Sequence, residues 1–321
     1  MAKKMHSGVM RVKGLLEIAS ALYDTSLPDV GRRLTLSLGG GTKAKGTERI
    51  SFSTGSLRLL EQVARKKVEV GWINPTAGLA MAVRGKGPFK EPLPLKALAM
   101  FPSWDRLVFA VAKETGLTSF DEIRERQVPL RVSVSAARPP RDNTTMFAVL
   151  EILRAYGLSL EQIRRRGGSI QKVRSPSHPD RATGIQNGSI NAVFDEGIKS
   201  WGKVALDAGM KFLPIGEHVL AHMESLGFRR GVLTKENFPA MNDHSVAVDF
   251  SGWPICCHAD MPEDVAYALC EAIALHRDRI PVDQEGPLEA SALCADTEEG
   301  PLNVPLHPGA ERYYREKGYL Q

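Results

Sequence analysis

Residues 130–158, LRVSVSAARPPRDNTTMFAVLEILRAYGL, carry the signals of a strand, a turn and a helix in succession. β-Branched and polar residues alternate at 131–135, which is typical of a strand. Apolar residues recur at helical spacing after Thr145, and Gly157 stands where a glycine commonly ends a helix. Three candidate N-caps precede that helix: Asp142, Asn143 and Thr144. The stretch therefore predicts a strand–turn–helix unit of an α/β protein.

This unit also predicts an anion site. A helix N-terminus presents free backbone N–H groups and the positive end of the helix dipole. Arg138 and Arg141 lie in the turn, and a guanidinium pairs well with a carboxylate or a phosphate. Residues 131–181 hold ten basic and four acidic residues, a charge excess that draws small anions. An ordinary connection with solvated arginines is the alternative.

Composition is that of a globular protein with two domains. The chain has 321 residues, 43% hydrophobic and 25% charged, with a formal net charge of +5, and this length favours two cores over one. No nucleic-acid motif accompanies the basic residues, so no nucleic-acid partner is expected. Four cysteines form no CxxC pair and are expected to be reduced core residues: Cys256, Cys257, Cys270 and Cys294.

The sequence also bears on the membrane. No stretch reaches the roughly 18 apolar residues that a membrane helix needs, so no direct membrane insertion is expected. The N-terminus, MAKKMHSGVMRVKG, has the basic residues of a signal peptide without its apolar core. The chain as written is therefore expected to be cytoplasmic, or periplasmic if a leader was removed or left out of the gene model.

Two further strand ends carry polar residues. Residues 53–56 and 74–76 both follow strand-like runs, and ligands of open α/β sheets bind at the carboxyl ends of strands. Residues 66–74 and 187–195 share one plan, a helix end, a short strand and a polar residue at its tip. Two similar halves that face each other are typical of a hinged binding protein.

Periodicity and capping residues predict the remaining elements. Strands are expected at 33–38, 50–52, 68–73, 95–100, 106–112, 189–194, 210–215, 245–249 and 254–257. Helices are expected at 12–23, from 57 onward after a cap at Ser53 or Thr54, and at 77–83, 119–125, 159–166, 178–186, 262–277 and the C-terminal tail.

The tail, PLHPGAERYYREKG at 305–318, closely resembles the C-terminal signature of TAXI-type solute receptors of TRAP transporters. Residues 53–56, STGS, resemble that family's T-x-G-S unit. KKVEVGWIN and QNGSINAVFDE resemble its two strand motifs, and the resemblance covers residues 13–318. Two features of the family have no counterpart here, the export signal and the first strand with its binding loop.

The resemblance implies a two-lobed type II periplasmic-binding-protein fold, with two α/β domains joined by a hinge and the cleft between them. Lobe 1 would comprise 1–106 plus 246–321, and lobe 2 would comprise 107–245. Such receptors capture small carboxylates or amino acids and pass them to a TRAP-type membrane permease, without a cofactor and without catalysis. Hinges are expected at 104–108 and 245–253.

The alternative is a cytoplasmic enzyme on the same fold, such as a decarboxylase of an aromatic or dicarboxylic acid. His218 and His222 are expected to share one helix face at i, i+4, the spacing of two metal ligands, but no HExxH pattern surrounds them. No GxSxG elbow is present. We therefore assign no catalytic residue and no metal ligand.

The proposed ligand-binding residues lie at strand ends and helix starts in both halves. One half contributes Thr54, Gly55, Ser56 and Asn74; the other contributes Ser135, Arg138, Arg141, Asn143, Thr144 and Thr145. A carboxylate would lie on the helix N-terminus at 143–145. Asp195 or Glu196 would meet an amino or hydroxyl group of the ligand. Trp104 would stack on the ligand, and a core tryptophan is the alternative.

Overall fold

The computed structural model describes Leu16, residues 35–39, 49–136, Pro139, and residues 142–280 and 286–320. The predicted helix at 12–23 lies outside the described residues except for Leu16. The strands, in chain order, are β1 Thr35–Gly39, β2 Arg49–Gly55, β3 Val70–Ile73, β4 Leu95–Phe101, β5 Arg106–Ala112, β6 Arg131–Ser135, β7 Ser169–Val173, β8 Ala192–Asp195, β9 Met210–Leu213, β10 Arg230–Leu233, β11 Ser245–Asp249 and β12 Trp253–His258.

Helices alternate with these strands along the chain. They are α1 Leu57–Ala64, α2 Thr76–Arg84, α3 Phe120–Arg126, α4 Thr144–Ala155, α5 Leu160–Arg165, α6 Pro179–Gln186, α7 Ile198–Asp207, α8 Glu217–Leu226, α9 Glu263–His276 and α10 Pro308–Glu316. Short 3₁₀ turns occur at Lys113–Thr115, Arg277–Arg279 and Ala290–Cys294.

In the part of the chain that the structure describes, two sheets form two lobes, as the predicted two-lobed α/β fold requires. Lobe 1 holds the sheet β1-β2-β3-β12-β4, in which β2 and β3 are parallel and β12 runs antiparallel to β3 and β4. Lobe 2 holds the sheet β10-β11-β5-β8-β6-β7, with β9 also paired to β5. Strands β6, β7 and β8 are parallel, so their carboxyl ends meet at one edge. The domain boundaries inferred from the resemblance stay a prediction.

Among the described residues, buried apolar side chains form three clusters. One extends across both lobes and includes α1, α2 and α4. A second lies in lobe 1 beneath α9 and α10 and contains three of the four cysteines, and the third lies in lobe 2 beneath α7. All four cysteines are free and buried, which confirms the expectation of reduced core residues.

Most predicted elements are confirmed, with differences at a few positions. The cap of α1 is Ser56, because β2 continues through Ser53 and Thr54 to Gly55. Asn143, Ser119 and Ser159 accept hydrogen bonds from the first turns of their helices, as expected for N-caps. The sequence analysis did not predict β7, α7 or β10.

The lobes are joined at 102–105 and 250–252, the two segments that we call the crossovers. Arg106, only 1% exposed, lies between them. Its Nη1 donates to Asp249 Oδ1 (2.7 Å), to Ser251 Oγ (2.9 Å) and to the main-chain oxygen of Asp105 (2.9 Å). Its Nη2 pairs with Glu298. One guanidinium therefore holds both crossovers.

Replacing this guanidinium should destabilise the fold strongly. Arg106→Met leaves the carboxylate of Asp249 buried without its partner, which costs about 3–5 kcal/mol of unfolding free energy. Urea unfolding of the two proteins measures the difference. A second substitution, Asp249→Leu, should recover part of the loss because it removes the unpaired charge.

Arg165→Met is the matched control. Arg165 pairs with Glu161 on the surface and its side chain is 77% exposed, so its loss should change stability by less than about 1 kcal/mol. Equal losses in the two single variants would contradict the role given to Arg106.

Candidate functional site

The cleft between the lobes contains a cavity of about 320 Å³, called here the inner cavity. It lies where the ends of β3 and β8 approach the crossover at 102–105. Lobe 1 contributes Asn74 and Trp253, the crossover contributes Ser103, Trp104 and Asp105, and lobe 2 contributes Pro176, Ser177, Glu196, Gly197, Lys199 and Ser200. Polar groups of both charges and two indole rings therefore line one space.

Three of the residues proposed from sequence line the inner cavity. Asn74 follows β3, and its N–H donates to the main-chain oxygen of Gly55 (3.3 Å). Trp104 lies on the crossover, and its ring centroid is 4.6 Å from the guanidinium carbon of Arg106. Glu196 follows β8. The structure thus brings together one predicted residue from each lobe and one from the crossover.

A second group of predicted residues meets at the N-terminus of α4. The Asn143 side chain accepts from the N–H of Met146 (2.9 Å). The Ser56 hydroxyl of lobe 1 accepts from the N–H of Thr144 (2.9 Å) and lies 2.6 Å from the Thr144 hydroxyl. Thr144 and Thr145 are buried. At the predicted anion site, the lobes are therefore in direct contact through a hydroxyl group.

The remaining predicted residues lie elsewhere or outside the described residues. Thr54 and Gly55 end β2, and Ser135 ends β6. Asp195 is fully buried and forms an ion pair with Arg181, whose Nε also donates to Ser133 Oγ (3.0 Å). The carboxylate of Asp195 is therefore already paired within lobe 2. Arg138 and Arg141 are outside the described residues.

The inner cavity contains a pair of carboxyl groups. Asp105 accepts from the N–H groups of Arg106 (2.7 Å), Gly197 (2.8 Å) and Ile198 (3.1 Å). Glu196 forms a side-chain hydrogen bond with Asp105. Burial, together with the negative charges of Asp105 and Asp195, raises the pKa of Glu196 well above its ordinary value.

The proton of this pair belongs on Glu196. Burial raises the pKa of Asp105 as well, but three backbone N–H groups stabilise the Asp105 carboxylate in its ionised form. Glu196 then donates its O–H to Asp105. A neutral carboxylic acid therefore faces the cavity, and it can become an anion when a positive group of a ligand replaces its proton.

Sequence reasoning missed most other lining residues because they belong to unpredicted elements. Lys199 and Ser200 lie on α7, and Ser177 follows β7. The apolar spacing of Ile198, Trp201 and Ala205, all buried, is a helical signal that would have revealed α7. Asp105 adjoins the predicted Trp104 but was not chosen.

The histidines at helical spacing, His218 and His222, belong to no metal cluster in the described part of the chain. Among the described residues, no group of three or more His, Cys, Asp and Glu side chains stands close enough to hold a metal ion. His222 Nε2 instead lies 3.3 Å from Glu151 Oε2.

No helix in the described part of the chain is both long and apolar enough to span a membrane.

Several solved structures are similar to this chain at low identity. The alkanesulfonate-binding protein SsuA from Xanthomonas axonopodis pv. citri, bound to MOPS, is 13% identical, with 70% of this chain and 62% of that chain covered and a TM-score of 0.31. The glycine betaine/L-proline-binding protein ProX from Borrelia burgdorferi is 14% identical, with 66% and 64% covered and a TM-score of 0.37.

PhnD1 from Prochlorococcus marinus, in complex with methylphosphonate, is 11% identical, with 83% of this chain and 84% of that chain covered and a TM-score of 0.38. This chain spans less than two thirds of the length of the first two of these proteins. At such identities and TM-scores, these similarities carry no argument about the ligand.

The family comparison is more extensive. The model of the NMT1-like family matches residues 38–318, which is most of the chain and includes both lobes and both crossovers. The matching family is not the TAXI-type receptor family that the tail resembles. Membership of the TAXI type therefore stays a prediction. The chain belongs to the NMT1-like family.

Proposed function

We propose that this protein is a solute-binding protein that closes its two lobes around a small organic acid. The observation that supports this proposal is the inner cavity, where side chains of lobe 1, of a crossover and of lobe 2 converge on one space. Closure of two lobes around a ligand is a common mechanism in binding proteins. The crossovers held by Arg106 would be the hinges.

The acidic group of the ligand would bind at the N-terminus of α4. Backbone N–H groups and the helix dipole favour an anion there, and Thr144 N–H already donates to a hydroxyl oxygen of Ser56. Lys199 in the inner cavity provides a positive charge. Arg138 and Arg141 remain proposed counter-charges.

A second group of the ligand would meet Glu196. A carboxyl group at this position can accept a hydrogen bond from an amino or hydroxyl group. Trp104 and Trp253 line the same cavity, and their rings can contact the ligand. The ligand class is therefore a carboxylate with an amino or hydroxyl substituent, for which amino acids are the simplest examples.

Delivery to a membrane permease completes the proposal. The resemblance of the tail favours a permease of the TRAP type, whereas ProX from Borrelia burgdorferi, one of the similar structures, belongs to a glycine betaine/L-proline ABC transporter. A periplasmic location would follow from either partner if a leader precedes this chain.

Thermal unfolding with a panel of carboxylates, amino acids and aromatic acids tests the proposal. A ligand at about 100 times its Kd adds about 2.7 kcal/mol of stability.

Lys199→Ala should weaken binding of the responding compound roughly 10- to 100-fold, since a hydrogen bond to a charged group contributes about 1.5–3 kcal/mol. Calorimetric titration measures the change.

Lys235→Ala, on an exposed loop outside the cavity, is the control and should bind like the unaltered protein. No response to any compound would refute the proposal, and equal affinities in the two variants would remove Lys199 from the site. A compound that is consumed during incubation would indicate an enzyme instead.

The raised pKa of Glu196 predicts a dependence of stability on pH. Between the pKa of an unfolded glutamate, about 4.5, and the higher folded pKa, only the folded state keeps the proton. The free energy of unfolding should therefore fall as pH rises through this window, by up to about 1.4 kcal/mol per pH unit for one proton.

Glu196→Gln should remove much of this fall, because the amide is neutral at every pH. Its side-chain amide can still donate a hydrogen bond to the Asp105 carboxylate, as the Glu196 O–H does. Urea unfolding at a series of pH values from about 4.5 upward measures the slope. The exposed Glu236→Gln variant should retain the slope of the original protein, and identical slopes in all three proteins would show that Glu196 does not cause it.

A further inference from the structure

We infer that the ligand of the inner cavity is an elongated, amphiphilic organic acid whose apolar arm extends past Trp104 into a second cavity. This inference rests on the proposed function and narrows its ligand class. The second cavity, called here the outer cavity, has a volume of about 730 Å³. It is lined by Trp104, Lys199, Lys203, Leu206, Asp207, Asn237, Phe238, Pro239, Ala240 and Glu299.

The two cavities are neighbours. Trp104 and Lys199 line both of them, and the Lys199 ammonium lies 5.9 Å from the centre of the Trp104 ring. A ligand that passes this pair occupies both spaces. The inner cavity alone is near the lower end of the roughly 300–1,000 Å³ found for small-molecule sites, whereas the outer cavity lies well within that range.

The outer cavity is suited to an apolar group. Its floor is formed by Leu206, Phe238 and Pro239, of which Phe238 is buried. The indole of Trp104 lines the side that the outer cavity shares with the inner cavity. Burial of an alkyl or aryl group against these side chains removes apolar surface from water, which favours binding in proportion to the buried area.

The charges at the rim of the outer cavity balance. Lys199 and Lys203 are opposed by Asp207 and Glu299, and Lys203 Nζ already pairs with Asp207 (2.6 Å). An anionic group therefore gains little from this rim. The charged end of the ligand is assigned to the inner-cavity side of Trp104, where Asn74, Ser103 and Ser177 add polar groups, and the uncharged arm to the outer cavity.

The arm would also take part in lobe closure. The outer cavity is built from α7 and the loop after β10 in lobe 2, but Glu299 comes from lobe 1. The main-chain oxygen of Glu299 accepts from the N–H of Ser103 on the crossover (2.8 Å). An arm in the outer cavity therefore contacts both lobes, as the polar end does.

The test is a calorimetric titration of the full chain with unbranched amino acids from 2-aminobutanoate to 2-aminodecanoate. Affinity should rise roughly three- to fourfold for each methylene that enters the outer cavity. Ala240→Trp fills this cavity and should abolish the rise, while 2-aminobutanoate binds as before. Lys203→Trp, at an exposed position of α7, should act in the same way and provides a second variant.

Ala208→Trp is the matched control, since Ala208 is exposed just after α7 and does not line the cavity; it should retain the full rise. A flat affinity along the series, with 2-aminobutanoate bound, would overturn the arm but leave the proposed function intact. If no member of the series binds, the inference fails; if the wider panel of acids also fails to bind, the proposed function fails with it.

Discussion

The fold depends on a buried arginine at the place where the chain passes between its lobes. Arg106 hydrogen-bonds to both crossovers, through the main chain of Asp105 and the side chains of Asp249 and Ser251. A buried charge is tolerated only when it is paired, so the two crossovers must stay together. Trp104 lies two residues before Arg106, and the wall shared by the two cavities is therefore fixed to this crossover.

The same crossover accounts for the unusual electrostatics of the cleft. Asp105 accepts hydrogen bonds from two N–H groups at the start of α7. These bonds hold the Asp105 carboxylate next to the carboxyl group of Glu196. Holding two half-buried carboxyl groups together costs stability unless one keeps its proton. A ligand amino group at Glu196 would offset that cost, so stability of the free protein and affinity for the ligand oppose each other at this position.

Local signals in the sequence were sufficient for the fold class and for most elements. They failed where tertiary pairing decides, as in β7, whose sequence SIQKV is half polar and is held by parallel pairing with β6. The site was predicted in part, because strand ends and helix caps are local features. The ion pair of Asp195 with Arg181, 14 residues earlier, could not be predicted, because the sequence does not show which charges meet in the core.

The contact between the lobes at α4 bears on selectivity. The N–H of Thr144 already donates a hydrogen bond to the Ser56 hydroxyl. A ligand that binds at the N-terminus of α4 must therefore replace this hydrogen bond. A neutral oxygen would gain little by this exchange. An ionised carboxylate gains more, because a charge-assisted hydrogen bond is roughly twice as strong as a neutral one and the helix dipole adds to it. The closed contact between hydroxyl groups would therefore favour anions over neutral compounds of the same shape.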